Sequence, residues 1–203
     1  MGSSDAPLTP LAKEYLLAAQ RGFYYGSTVT SLRIETDQLR DGKNMHTLTE
    51  VQCPDRYRML VTGALDMESI FVGTSQYERR GSEPWRVSDA PSGAPGLGRC
   101  TDIEEMKKRL PPDEAQIELY SGVYGGGSVK VTKGSIREYH GIKCQQYTVV
   151  LKDTLPNTNC FAINGDPYTV AHSRGNYSTV MYDFNKPIDI RPPIGESQPR
   201  KAH

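Results

Sequence analysis

Three internal histidines, His46, His140 and His172, and four cysteines, Cys53, Cys100, Cys144 and Cys160, are the side chains whose chemistry could hold a metal or serve a nucleophile. Their spacing speaks against both uses. No histidine has a ligand partner at i+2 or i+4, and no C-x-x-C pair or neighbouring histidine stands at zinc spacing. Each histidine reads as solvent-facing or singly hydrogen-bonded. A catalytic reading would need His46, His140 or His172 to converge with distant carboxylates, which a sequence cannot show. Serines are plentiful, yet no G-x-S-x-G elbow is present. The stretch GVYGGGSVKVTKG lacks the order of a phosphate loop and precedes a strand pattern, so it reads as a hairpin turn. No catalytic residue, no metal and no cofactor is expected.

The cysteines read better as disulfides. Four allow three pairings, and the sequence does not select among them, although Cys53 with Cys100 and Cys144 with Cys160 is the favoured set. Disulfides place the chain in an oxidising compartment. Four buried reduced thiols in a cytoplasmic protein are the alternative. The opening MGSSDAP has no secretory pattern and looks like a segment joined to a mature chain, so a removed export signal would leave no trace and its absence is uninformative. The sequon NYS at Asn176 and the charge run Glu104, Glu105, Lys107, Lys108 and Arg109 read as a chance match and a solvated helix face.

Composition sets the class. Lys+Arg and Asp+Glu are equal at 24 each in 203 residues, and no basic stripe breaks the balance, so phosphate neutralisation of a nucleic acid has no support. The longest apolar runs, YLLAA and YTVVL, fall far short of the ~18 residues of a membrane span. The 12 tyrosines against 4 phenylalanines fit half-buried strand positions with a wet rim.

The elements that must position any site are mostly strands. Thr9 suits a helix N-cap, Pro10 the first helical turn and Gly22 the residue past the end, with Leu11, Tyr15, Ala18 and Gly22 as the stripe. From Gly26 on, alternation takes over. STVTSLRIETDQLR ends in the hairpin signal Asp41-Gly42, NMHTLTEVQ returns, and DRYRMLVTG and MESIFVGTSQYERRG follow. The Gly/Pro/Ser-rich stretch 81–99 reads as a long loop holding the single tryptophan, Trp85. CTDIEEMKKRLPP reads as a second, short helix capped by Thr101. Strands resume with EAQIELYSGVY, SVKVTKG, SIREYHGIKCQQYTVVLKD, CFAING and YTVAHSRG, and end with a terminal strand before Pro187. So many strands exceed what a flat sheet carries, so the sheet should curve. Its apolar set, including Tyr57, Met59, Ile70, Leu119, Tyr147 and Met181, fits either an ordinary core or a cavity lining, because both use the same alternation.

Three stretches carry a family likeness: PDRYRM, VGTSQYERRGSEPWRV, and the ending YDFNKPIDIRPP. Together they resemble the LolA/LolB-like superfamily of bacterial periplasmic lipoproteins and lipid carriers, in its LppX/LprG-like group, over most of residues 9 to 193. The resemblance implies a mainly β (α+β) fold: a curved antiparallel half-barrel with an N-terminal helix and a short second helix on its concave side. It also implies an apolar cavity for acyl chains or lipidated partners.

The resulting expectations are a flexible segment 1–8, a single half-barrel domain over 9–190 and a disordered tail over 191–203. The protein is expected in the periplasm or cell envelope as a non-enzymatic binder of a lipid or lipoprotein acyl chain, associated with the membrane at most through a lipid anchor already removed. Ligand-binding candidates are Trp85, Tyr57, Met59, Ile70, Leu119, Tyr147 and Met181, with Trp85 at the mouth and the loop 81–99 as gate. The rival reading is a structural or protein-interaction protein whose core is filled by its own side chains.

Overall fold

Helix α1 (Pro10–Thr28) leads into eleven strands: β1 (Ser31–Arg40), β2 (Lys43–Gln52), β3 (Arg56–Gly63), β4 (Met67–Val72), β5 (Ser75–Arg80), β6 (Arg86–Asp89), β7 (Val129–Tyr139), β8 (Ile142–Leu151), β9 (Asn157–Ala162), β10 (Thr169–Arg174) and β11 (Tyr177–Tyr182). This computed structural model describes residues 8–90, Cys100, Ile103, 129–151 and 154–193. The chain divides into two compact units, one from Met1–Thr28 and Glu105–Tyr182, the other from Val29–Glu104 and Asp183–His203.

In the first unit the strands run in the order β11-β10-β9-β8-β7, an antiparallel meander on which α1 packs. Thr9 caps the helix as expected, its Oγ1 accepting from the Ala12 N–H at 3.2 Å. Gly22 does not end it. An added Cβ there would stand 2.7 Å from Thr169 Oγ1 and 3.0 Å from Phe161 Cδ1, so glycine serves close helix–sheet approach, and the helix runs six residues further. Ser27 and Thr28 then close it by donating to the carbonyls of Phe23 and Tyr25. The buried stripe is Ala12, Leu16 and Gly22, rotated by one residue from the expected Leu11 and Tyr15.

The opposite face of this meander carries the Cys144–Cys160 disulfide inside a cluster with Ala162, Val170 and Ala171. The run SIREYHGIKCQQYTVVLKD, expected as one strand, breaks at His140 and Gly141, whose φ angles of 48° and 79° make the two-residue hairpin between β7 and β8. His140 is therefore a turn residue, stacked on Tyr182 with centroids 3.6 Å apart.

The second unit is also an antiparallel meander, in the order β6-β5-β4-β3-β2-β1. Asp41 and Gly42, at φ 52° and 74°, form the β1–β2 hairpin that the sequence announces. Part of the expected 81–99 loop is strand: Arg86–Asp89 pairs with β5 as β6. Residues 81–85 and Ala90 are loop, and 91–99 lie outside the described residues, as do Leu119, the EAQIELYSGVY segment, residues 1–7 and 194–203. Of the expected second helix only Cys100 and Ile103 are described.

The mainly antiparallel β architecture with an N-terminal helix is thus present. Both expected disulfides form, with Cα atoms 5.5 Å apart for Cys53–Cys100 and 5.4 Å apart for Cys144–Cys160.

Candidate functional site

Directly paired residues of an antiparallel ladder point to the same side of a sheet, so the register of β1 to β5 sorts the second unit into two faces. Leu32, Val51, Tyr57 and Phe71 pair in succession and share one face, on which they are buried. Tyr57 and Phe71 meet edge to face at 5.6 Å. Met59 and Val61 follow Tyr57 at i+2 and i+4 on that side. The other face is charged: Arg33 pairs with Glu50, Glu50 with Arg58, and Glu68 with Arg79.

These side chains form a continuous chain of ion pairs. Arg33 Nη1 donates to Asp183 at 2.6 Å and its Nε to Glu50 at 2.8 Å. Arg58 bridges both acids, reaching Glu50 at 3.3 Å and Glu68 at 2.8 Å. Arg79 donates to Glu68 from Nε at 3.0 Å and from Nη2 at 2.6 Å. The carboxylates are the buried partners: the Glu50 and Glu68 side chains are 8% and 6% exposed, against 33–42% for the three arginines. Burying an acid costs several kcal/mol unless it is paired and hydrogen-bonded, and here each accepts from two guanidiniums. Lys186 and then Arg33 hold the Asp183 carboxyl below its ordinary range by donating hydrogen bonds to it.

The C-terminal segment covers part of this face. Ser31 Oγ donates to the Lys186 carbonyl at 2.7 Å, the Ile188 N–H donates to Gln52 at 2.9 Å, and Arg56 donates to the Ile190 carbonyl at 2.7 Å. Pro187 thus belongs to an extended segment strapped across the strands, with Ile188 and Ile190 buried against Ile70. The period of two turns Asp189 and Arg191 the other way, paired at 2.7 Å.

Beside this segment lies an open cleft of about 380 Å³, lined by Arg58, Glu68, Ile70, Arg79, Trp85, Asp189, Arg191 and Pro193. Trp85 packs on the isoleucine cluster, and the Arg79 guanidinium sits 4.7 Å from its ring centroid. Of the expected ligand-binding residues, the structure brings Trp85 and Ile70 together here, while Tyr57 and Met59 lie on the opposite face. The arginines and acids of the cleft were missed, because alternating charge reads as a solvated strand face until register is known. One pair was within reach: an Asp41-Gly42 hairpin closing on Arg40 and Lys43 puts Arg33 opposite Glu50 by counting back.

Tyr147 and Met181 belong to the first unit. The Tyr147 hydroxyl donates to Glu14 Oε1 at 2.6 Å, and burial together with that bond raises the phenol's pKa. Glu14 is held below its ordinary range by hydrogen bonds from Lys133 and Tyr147. The rings of Tyr15, Tyr147 and Phe161 pack mutually at 5.8–6.0 Å, and Asn159 links Tyr15 to His172. Met181 is half-buried on β11. The histidines do not converge: His46 pairs with Asp37 at 2.9 Å on the surface. Among the described residues no group of three or more His, Cys, Asp or Glu could hold a metal ion, and no helix is long and apolar enough to cross a membrane.

Solved structures share this fold, two of them mycobacterial proteins. Lipoprotein LppX of Mycobacterium tuberculosis superposes with a TM-score of 0.53 at 14% identity, over 88% of this chain and 100% of that one. LprF of Mycobacterium bovis gives 0.51 at 12% identity, over 93% and 99%. At such identities the likeness shows the fold alone, an LppX-like one. No family profile matches the chain, and no curated protein matches it.

Proposed function

We propose that this is an exported cell-envelope protein that binds a lipid, or the acyl chain of a lipoprotein, non-covalently and without catalysis. The observation that carries the reading is the fold shared with LppX, a lipoprotein, over the whole length of that chain. Two disulfides support export, since such bonds rarely persist in a reducing cytosol. Tyr57 and Met59 are the candidate acyl contacts on the apolar face of β1 to β4, and because Leu32, Val51, Val61 and Phe71 there are already buried, an acyl chain would have to displace the present cover of that face. Each methylene buried against it would contribute about 0.8 kcal/mol, so a chain of ordinary length would be retained through purification.

Native mass spectrometry of freshly purified protein, followed by solvent extraction, tests this. The expected result is an acyl species at near one-to-one ratio. A clean apo mass from a lipid-rich host, with added lipid also failing to bind, would overturn it.

A second reading has its own support. In the first unit the rings of Tyr15, Tyr147 and Phe161 pack on one another between helix and sheet, with the hydrogen-bonded chain Tyr15–Asn159–His172 beside them. That favours a structural or protein-interaction role, for which the apo mass is the expected outcome.

A further inference from the structure

We propose that the cleft beside the C-terminal segment binds a phosphate ester carried on a short apolar body. The cleft lies on the charged face of the second unit, opposite the face assigned to acyl contacts. The inference therefore stands whether or not the protein retains an acyl chain.

Three guanidiniums and two carboxylates line the cleft, and the carboxylates are already committed. Glu68 is the buried one, and both Arg58 and Arg79 donate to it. Asp189 is held by Arg191 on the rim. Each guanidinium has five N–H groups. Arg79 uses Nε and Nη2 on Glu68, and Arg191 uses Nε and Nη2 on Asp189, so each spends one edge of its fork and keeps Nη1 for a further acceptor. What the cleft offers a ligand is thus two guanidiniums with unused donors, Nη1 of Arg79 and Nη1 of Arg191, beside carboxylates that are already engaged.

The unused donors come from two separate segments, Arg79 on β5 and Arg191 on the C-terminal segment, while Arg58 on β3 is spent on Glu50 and Glu68. A planar carboxylate satisfies one guanidinium fork. A tetrahedral phosphate group presents oxygens in several directions and suits donors from several sides. Apolar surface completes the cleft, with Ile70 and Trp85 backed by Ile188 and Ile190, and Pro193 also in the lining. A volume of about 380 Å³ is at the lower end of small-molecule sites and fits a head-group-sized ligand rather than a long chain. Arg79 over the indole couples the two halves, since an anion drawing on that guanidinium alters the environment of the chain's single tryptophan.

The experiment titrates the full-length protein with hexyl phosphate, hexanol and inorganic phosphate, reading Trp85 emission and heat of binding. It also measures co-sedimentation with phosphatidylcholine vesicles with and without phosphatidic acid. Hexyl phosphate is expected to bind and shift the emission, with hexanol and inorganic phosphate each weaker by about tenfold or more. Arg191→Gln, at an exposed position that should leave the fold intact, is expected to weaken hexyl phosphate by about tenfold. Vesicle capture that requires phosphatidic acid would identify a lipid head group as the source. Binding of soluble hexyl phosphate without such capture would identify a free ester; both outcomes support the site. Equal binding of hexanol and hexyl phosphate, an unchanged Arg191→Gln titration, or no response to hexyl phosphate or the vesicles would overturn it.

Discussion

Arg79 holds its guanidinium 4.7 Å above the Trp85 ring while its Nε and Nη2 both donate to one oxygen of buried Glu68. The single tryptophan is thereby tied to an ion-pair chain that reaches through Arg58 and Glu50 to Arg33 and Asp183. Glu68→Gln removes the charge at the centre of that chain. Because the arginines are 37% and 42% exposed and water can replace part of the loss, the expected destabilisation is modest, about 1–2 kcal/mol in urea unfolding. Trp85 emission should shift as Arg79 is released. An unchanged midpoint with unchanged emission would mean that the acid does not organise this face.

The two disulfides should differ in reactivity. Cys144 and Cys160 are 0% and 2% exposed within their cluster, whereas Cys53 and Cys100 are half-buried. Reduction of native protein followed by alkylation and peptide mapping should label Cys53 and Cys100 first. Cys144 and Cys160 should be labelled only as the protein unfolds. Replacing both Cys144 and Cys160 by serine opens a loop of 16 residues and should cost about 3 kcal/mol. Simultaneous labelling of all four cysteines would contradict the burial difference.

Stability should depend on pH through His172. Desolvation first, and then Arg174, lowers its pKa from the ordinary 6.5, while Asn159 holds Nδ1 at 3.0 Å and the Tyr177 ring lies edge-on. The unfolded chain binds the proton more readily, so stability is full above about 6.5 and falls as pH drops through the lowered folded value. Glu14 has the same sign in a lower window, beginning near its ordinary 4.5. Urea midpoints measured from pH 8 to about 2.5 should therefore decline in two stages, and His172→Gln should flatten only the upper one. A variant whose profile matches the parent would remove His172 from this account.

Gly22→Ala tests the contact that lets α1 continue. Alanine is favoured over glycine in a helix by about 1 kcal/mol. Here its Cβ meets Phe161 and Thr169 at 3.0 and 2.7 Å, and overpacking of that kind costs about 1–3 kcal/mol. The expected net change in thermal unfolding is a loss. Phe161→Leu in the same chain should recover part of it by making room. A stabilised Gly22→Ala would show that helix and sheet separate freely.

What the sequence determined by itself was local or periodic. Thr9, Pro10 and the alternation after Gly26 are enough for one helix followed by strands, because caps and side-chain periods act within a few residues. Asp41-Gly42 set one register by the left-handed backbone that both residues tolerate, and with it the Arg33–Glu50 pair. The helix end was misread at Gly22 because a capping glycine and a close-packing glycine look alike until Phe161, 139 positions later, is seen against it.

Tertiary structure alone decided the site. Placing Ile70 away from Tyr57 depends on the β3–β4 register, and a shift of one residue exchanges the faces of a strand. The strapping of Ile188 and Ile190 over that face, and the meeting of Arg191 with Arg79 and Trp85 in one cleft, join segments more than a hundred residues apart. Such contacts form because a charged strand face must find counter-charges and an apolar strip must find cover, and only the folded chain determines which distant residues supply them.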